Sequence, residues 1–236
     1  MKSTKGSRIT VRPKAVRFAM IEVMVKLFLV LWGLCLLPNI VSASDKVFVT
    51  PPQVDAYTYI DEPQLLMAYY GELDDFPHTY VITLSEATFI TGQLLEPNSD
   101  NARQNISGLL VREAERGVEE VARFPANSSD WEKQFVFTTG DSYLLGPAYT
   151  GTLEPGVYYL EVSNADNLGK YVFQIGTEAN PERIGYFGKL KEVYTIKKFL
   201  GKPVVMVLQS PYYFVPTFIL LTSLFWGYHR RSQRHA

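Results

Sequence analysis

Residues 151–176 read GTLEPGVYYLEVSNADNLGKYVFQIG, and this stretch decides the fold. Leu153-Glu154-Pro155-Gly156 is a turn, with Pro setting φ and Gly free to take positive φ. Tyr158, Leu160 and Val162 then alternate onto one face, and Val157, Tyr159 and Glu161 onto the other. After the polar loop Asn164-Ala165-Asp166-Asn167-Leu168-Gly169, Tyr171, Phe173 and Ile175 resume the apolar face. Two alternating runs around a Gly/Asn/Asp loop predict a β-hairpin, here the closing one of an antiparallel β-sandwich.

Upstream, short apolar runs recur between turn residues. Val47-Phe48-Val49 predicts a first strand ended by Pro51-Pro52, followed by strands at 57–60, 66–70, 79–83, 89–95 and 109–111. Gly71 through Pro77 reads as a turn, and 112–122 as an exposed hairpin tip at Gly117. Phe135-Val136-Phe137 and 142–145 complete the count. Turn signals every 8–12 residues predict an all-β, jelly-roll-like sandwich rather than an α/β fold.

The run Gly156 to Val162, then Gly169-Lys170-Tyr171-Val172-Phe173-Gln174-Ile175-Gly176, resembles the last two strands of pre-peptidase C-terminal β-sandwich domains. It also resembles the ectodomains of membrane-anchored bacterial proteins that close on the same pattern. Tyr57-Thr58-Tyr59-Ile60-Asp61-Glu62-Pro63 and Ala68-Tyr69-Tyr70-Gly71-Glu72-Leu73 are similar to the opening strands of such a domain. The resemblance implies an accessory module without shared catalytic residues.

Charge is segregated along the 236 residues. Residues 1–43 carry seven Lys/Arg and one Glu, a formal +6; 44–180 carry seven against 21 Asp/Glu, −14; 181–236 carry nine against two, +7. An acidic middle disfavours nucleic acid, whose phosphates demand a basic surface, and suits cations, basic partners or plain solubility. The only cysteine, Cys35, lies in the N-terminal apolar run, so the middle domain has neither disulfide nor thiolate chemistry. That usage favours a prokaryotic envelope protein over a stapled eukaryotic ectodomain.

Met24-Val25-Lys26, the apolar run 27–37 and Val41-Ser42-Ala43 have the three parts of a secretory signal cut after Ala43. An uncleaved anchor is the competing reading. The basic lead before it is either a cytoplasmic extension or untranslated, with a start at Met20 or Met24 preferred.

Candidate chemistry is sparse. His78 is the only histidine between 44 and 180, so neither a multi-histidine metal site nor a histidine relay is expected. Asp74, Asp75 and His78 lie close in sequence with Ser85 following, but no Gly-x-Ser-x-Gly elbow accompanies them. No cofactor is expected. Calcium is the one ion the acids suggest, with Glu72, Asp74, Asp75 and Asp166, helped by Asn167, as carboxylate and carbonyl ligands on loops. The ten tyrosines between 44 and 180, with Trp131, offer aromatic faces for stacking sugars, although tyrosines on sandwich strands are expected mainly to pack. Asn105-Ile106-Ser107 and Asn127-Ser128-Ser129 match the glycosylation sequon.

Asn180-Pro181-Glu182 has the chemistry of a helix start, and Gly201-Lys202-Pro203 that of a stop. Ile184, Phe187, Leu190, Tyr194 and Phe199-Leu200 make a loose apolar stripe beside Lys189, Lys191, Lys197 and Lys198. Such a helix is expected to lie on lipid headgroups, or else to pack under the acidic sandwich. From 203 to 228 there is no formal charge, which predicts a transmembrane segment with aromatic ends and a basic cytoplasmic tail.

The expected order is therefore a basic lead and signal peptide (1–43), a sandwich ectodomain (44–178), a basic stalk helix (179–202), a single span (203–228) and a cytoplasmic tail (229–236). This describes a single-pass plasma-membrane protein with its sandwich outside. Its expected function is non-catalytic binding of an envelope protein or glycan, with the lipid bilayer as the other partner. The alternative is an accessory subunit that meets its complex through the stalk and the final helix.

Overall fold

A computed structural model describes residues 45–49, 56–98, 105–126, 130–179 and 185–232. The expected signal peptide with Cys35, and the cut after Ala43, lie outside the described residues, as do the helix start at Asn180, Ile184 and the sequon at Asn127.

Among the described residues eleven strands form two sheets that face one another. They are β1 (Asp45–Phe48), β2 (Tyr57–Ile60), β3 (Met67–Asp74), β4 (His78–Leu84), β5 (Thr88–Pro97), β6 (Ser107–Ala114), β7 (Gly117–Phe124), β8 (Glu132–Val136), β9 (Asp141–Leu153), β10 (Gly156–Ser163) and β11 (Leu168–Ile175). The first sheet has the order β1-β3-β11-β5-β9-β8 and the second β2-β4-β10-β6-β7. Among these strand pairs β1 on β3 and β2 on β4 are parallel and the others antiparallel. The expected β-sandwich is therefore present.

The closing pair is a different object from the hairpin that the alternation predicts. β10 bonds to β4 and β6, whereas β11 bonds to β3 and β5 in the opposite sheet. Residues 164–167 thus form an arch between sheets. The Asn164 side chain holds it, donating to the Leu168 carbonyl at 2.8 Å and accepting from the Leu168 N–H at 3.1 Å. Tyr158, Leu160 and Val162 face Tyr171, Phe173 and Ile175 across one core, all at most 2% exposed. Alternation fixes which side of a strand is apolar; it is silent on whether two such sides lie abreast or opposed.

Gly71 through Pro77 is likewise not all turn, since β3 runs on to Asp74. Gly71 is a packing glycine, because a Cβ there would sit 2.5 Å from Cζ of Tyr171. The hairpin tip near Gly117 is present, with β6 and β7 paired and Gly117 at φ +98.

Two helices follow the sandwich. Helix α1 (Tyr186–Phe199) starts behind an extended Gly185 with no side-chain cap. It ends as expected at Gly201, where a left-handed φ of +69 lets the Gly201 and Lys202 N–H groups close on the Lys198 and Lys197 carbonyls. Its buried face agrees with the stripe read from the sequence only at the end, where Phe199 and Leu200 pack against the sandwich. Val193, Ile196 and Lys197 point inwards, while Phe187 is 83% and Tyr194 44% exposed. Ile196 completes a second core with Ala68, Tyr70, Leu95, Tyr143 and Val172, so α1 roofs the outer face of the first sheet. Charges hid this face in the sequence. Lys197 is bonded to Asp141 at 2.8 Å with both side chains at most 1% exposed, and Glu192 takes Lys46 of β1.

The expected span is corrected too. Residues Val204–Gln209 form a 3-10 turn rather than a membrane helix, with Val207 buried. Ser210 is fully buried, donating its hydroxyl to the Thr138 carbonyl at 2.6 Å. Helix α2 (Pro211–Ser232) begins only there, and Pro216, Thr217, Thr222 and Ser223 interrupt its apolar residues. The strongly apolar part, 214–225, is about 18 Å long against ~30 Å of hydrocarbon. Among the described residues no helix is long and apolar enough to cross a membrane.

Candidate functional site

The calcium candidates sit at the end of β3 (Glu72, Asp74), in the turn after it (Asp75) and in the 164–167 arch (Asp166), which the fold does bring together. β3 ends at Asp74 opposite Leu168, and the Asp75 N–H donates to the Asn167 carbonyl at 3.0 Å. Glu72, however, faces Lys170 at 3.7 Å, and Asp75 takes a left-handed φ of +64 to close its own turn. Among the described residues no three His, Cys, Asp or Glu side chains form a group fit to hold a metal ion.

His78, Asp74, Asp75 and Ser85 do not converge. His78 opens β4 and Ser85 follows its end, about 23 Å away along the strand. The His78 ring is buried in the sandwich, where its Nδ1 meets the Tyr171 hydroxyl, which in turn bonds the Tyr80 hydroxyl at 2.8 Å. Burial without a charged partner lowers its pKa to about 4, so at neutral pH it is an uncharged core group. Burial likewise pushes the Tyr171 hydroxyl well above its ordinary range. These bonds tie the sheets across the core and leave the buried His78 Nε2 without a hydrogen-bond partner among the described residues.

Of the ten tyrosines, Tyr69, Tyr70, Tyr80, Tyr143, Tyr158 and Tyr171 are buried, as packing residues should be. Trp131 is also a packing residue, lying over Gly146 and donating to the Pro125 carbonyl at 3.3 Å. Tyr57 and Tyr59 are different, at 50% and 66% exposed. They stand on the outer face of the second sheet, which no helix covers among the described residues. The register puts Tyr59, Val81, Tyr159 and Val111 in one cross-sheet row, and Tyr57, Thr79, Glu161 and Leu109 in the next. The Tyr159 hydroxyl faces Glu113 at 3.5 Å; that carboxylate first, then loss of hydration, then Tyr57 and Tyr59, raise its pKa. The sequence signal for this platform was the Tyr-x-Tyr spacing at 57 and 59, which one strand presents on one side.

At the end of the sandwich where β2 and β4 finish lies a cavity of about 550 Å³. Asp61, Gln64, Thr83, Ser85, Glu86, Thr88, Phe89, Thr177 and Glu178 give it a polar, acidic lining with no Lys, Arg or His. Thr83 is the partner of Val157, one row beyond Val81 and Tyr159, so cavity and platform are continuous. Sequence reasoning missed this cavity because its walls come from three separated turns.

No protein-family model matches the chain, and no curated protein does. Among solved structures it is similar to the pre-peptidase C-terminal domain of a collagenase from Bacillus anthracis, at 18% identity over 53% of this chain and 97% of that one, with a TM-score of 0.34. It is also similar to the Yersinia pseudotuberculosis-derived mitogen, at 11% identity over 50% and 89% of the two chains, TM-score 0.33. A β-glucosidase from Paenibacillus barengoltzii matches at 14% identity over 58% and 14%, TM-score 0.26. The resemblance read from the closing motif thus recurs among solved structures. At these values it carries nothing about what this chain does.

Proposed function

We propose that this chain is a non-catalytic binding module held at a membrane by α2, with its sandwich outside the cell. The observation that supports the tether is the uncovered apolar surface of α2. Leu220 and Leu221 are each 59% exposed and Leu224 62%, along one side of the helix. An exposed apolar side of this kind is suited to surroundings other than water.

The root of α2 is fixed rather than hinged. The Tyr186 hydroxyl donates to the Tyr212 carbonyl at 2.8 Å and the Tyr213 hydroxyl to the Leu190 carbonyl at 2.9 Å. With α1 clamped to Asp141, the inserted helix sets the orientation of the sandwich. The same fixed helix suits the alternative role, an accessory subunit whose α2 packs on partner helices.

Flotation of the full chain with phospholipid vesicles tests the tether. The chain should float, and Leu220→Glu/Leu221→Glu/Leu224→Glu should not. A detergent-free, monomeric chain that stays in the aqueous fraction would refute it. A stable partner co-purifying in mild detergent, with no affinity for vesicles, would favour the subunit role.

A further inference from the structure

We propose that the outer face of the second sheet and the adjoining end cavity bind an extended glycan carrying free amino sugars. This names the ligand of the binding module proposed above and rests on that reading.

Shape comes first. Same-face rows on a sheet are about 6.7 Å apart and neighbouring strands about 4.8 Å. Tyr59 and Tyr159 stand in one row on either side of β4, separated by Val81, which is 7% exposed. Their side chains are therefore roughly 10 Å apart, a gap that a disaccharide unit bridges with its apolar C–H faces against both rings. Tyr57 extends the platform by one row. A flat row of tyrosines suits a ribbon-like polymer, since ring faces attract the polarised C–H groups of a sugar.

Polar chemistry comes second. Glu113 beside Tyr159, and Glu161 in the Tyr57 row, are acceptors at the rim for sugar hydroxyls. In the cavity Thr83, Ser85, Thr88 and Thr177 supply hydroxyls, and Phe89, 53% exposed, supplies a further ring. The cavity is sized for one or two sugar rings, so it receives a chain end while the platform carries the following units.

Charge selects the class. Asp61, Glu86 and Glu178 line the cavity without a basic residue among its walls. Arg123 is paired with Glu120 at 2.8 Å, while Arg112, donating to the Pro155 carbonyl at 2.7 Å, keeps its charge but lies outside the cavity walls. Anionic glycans, phosphates and acidic lipids are therefore repelled. An ammonium group on a hexosamine is attracted, and its ring still stacks.

The test is calorimetric titration of the full chain in mild detergent with oligomers of β-linked glucosamine, their N-acetylated forms, and a uronic-acid oligomer. The glucosamine oligomer should bind. Tyr59→Ala and Tyr159→Ala should each weaken it at least tenfold; the melting temperature should hold for Tyr59→Ala, which removes a 66% exposed ring, and Tyr159→Phe should hold it at the half-buried position while keeping the stacking ring and the binding. Glu86→Gln/Glu178→Gln should weaken the amine form several-fold and leave the acetylated form unchanged. Binding of the uronic-acid oligomer, or a response to a lysine-rich peptide with none to sugars, would overturn the proposal. So would glucosamine binding that ignores Tyr59 and Tyr159. The tether is judged separately: a chain that floats on vesicles but binds no oligomer loses this inference alone. A chain that binds oligomers but never floats loses only the tether.

Discussion

Replacing Asp141 with Leu should detach α1 from the sandwich and destabilise the protein by about 3–5 kcal/mol, the usual cost of leaving one buried charge without its partner. Asp141 is fully buried at the start of β9 and accepts from Lys197 Nζ at 2.8 Å and Lys202 Nζ at 2.6 Å. Without the carboxylate, the Lys197 ammonium stays 1% exposed with the Gln209 side chain at 3.3 Å as its remaining acceptor. Lys197→Met is milder, since Asp141 keeps Lys202, and about 1–3 kcal/mol is expected. The double variant Asp141→Leu/Lys197→Met should recover much of the loss, because an apolar pair of similar volume often matches a buried ion pair. Each kcal/mol moves the melting temperature by roughly 2–4 °C at this size, so Asp141→Leu should melt about 6–20 °C lower. Thermal unfolding of the full chain in mild detergent measures this, and amide hydrogen exchange across 186–199 shows whether α1 opens first. The difference should change little with salt, since a buried pair is poorly screened. Asp141→Leu within 1 kcal/mol of the parent, or a double variant as unstable as the single one, would refute the clamp.

Two further outcomes follow from the core. Folded His78 takes its proton near pH 4 and an unfolded histidine near 6.5, so between those values the unfolded chain binds more protons. Stability should fall by roughly 3 kcal/mol as pH drops across that window and not change further from this group below it; His78→Phe, compared with the parent by denaturant titration at pH 7 and pH 4, should lack that loss. Gly176→Ala should cost about 3 kcal/mol or more, since its Cβ would lie 2.0 Å from the Leu65 carbonyl oxygen at a φ of +97. Gly169→Ala, at φ +123 with open space around it, should cost roughly 1–2 kcal/mol in the same melts, and the reverse order would contradict this packing.

Much of the sandwich was legible because its signals are local. The tip at Gly117, the strand at 57–60 and the inward faces of 158–162 and 171–175 each follow from alternation and turn chemistry within a few residues. Gly71 misled because a glycine signals either a turn or a close approach, and only the Tyr171 ring distinguishes them. Lys197 and Glu192 misled for a related reason. A charge on a helix reads as solvent-facing until its partner is known, and the partners lie 56 and 146 residues away. The calcium candidates came from two segments that do touch, yet proximity of carboxylates in sequence does not set the convergent geometry that a cation needs.

By itself the sequence determined that the region before the helices is an all-β sandwich, which side of each closing strand is apolar, and that α1 stops at Gly201. These depend on residue-by-residue periodicity and backbone freedom, which any chain carries with it. Only the tertiary structure decided that β10 and β11 face each other across the core, that α1 roofs the first sheet through Lys197 and Asp141, and that Tyr59, Val81 and Tyr159 form one row beside an acidic cavity. Each of these joins residues far apart in the chain. Strand partners, burial of a paired charge and the walls of a cavity are properties of the folded contacts, and no local pattern encodes them.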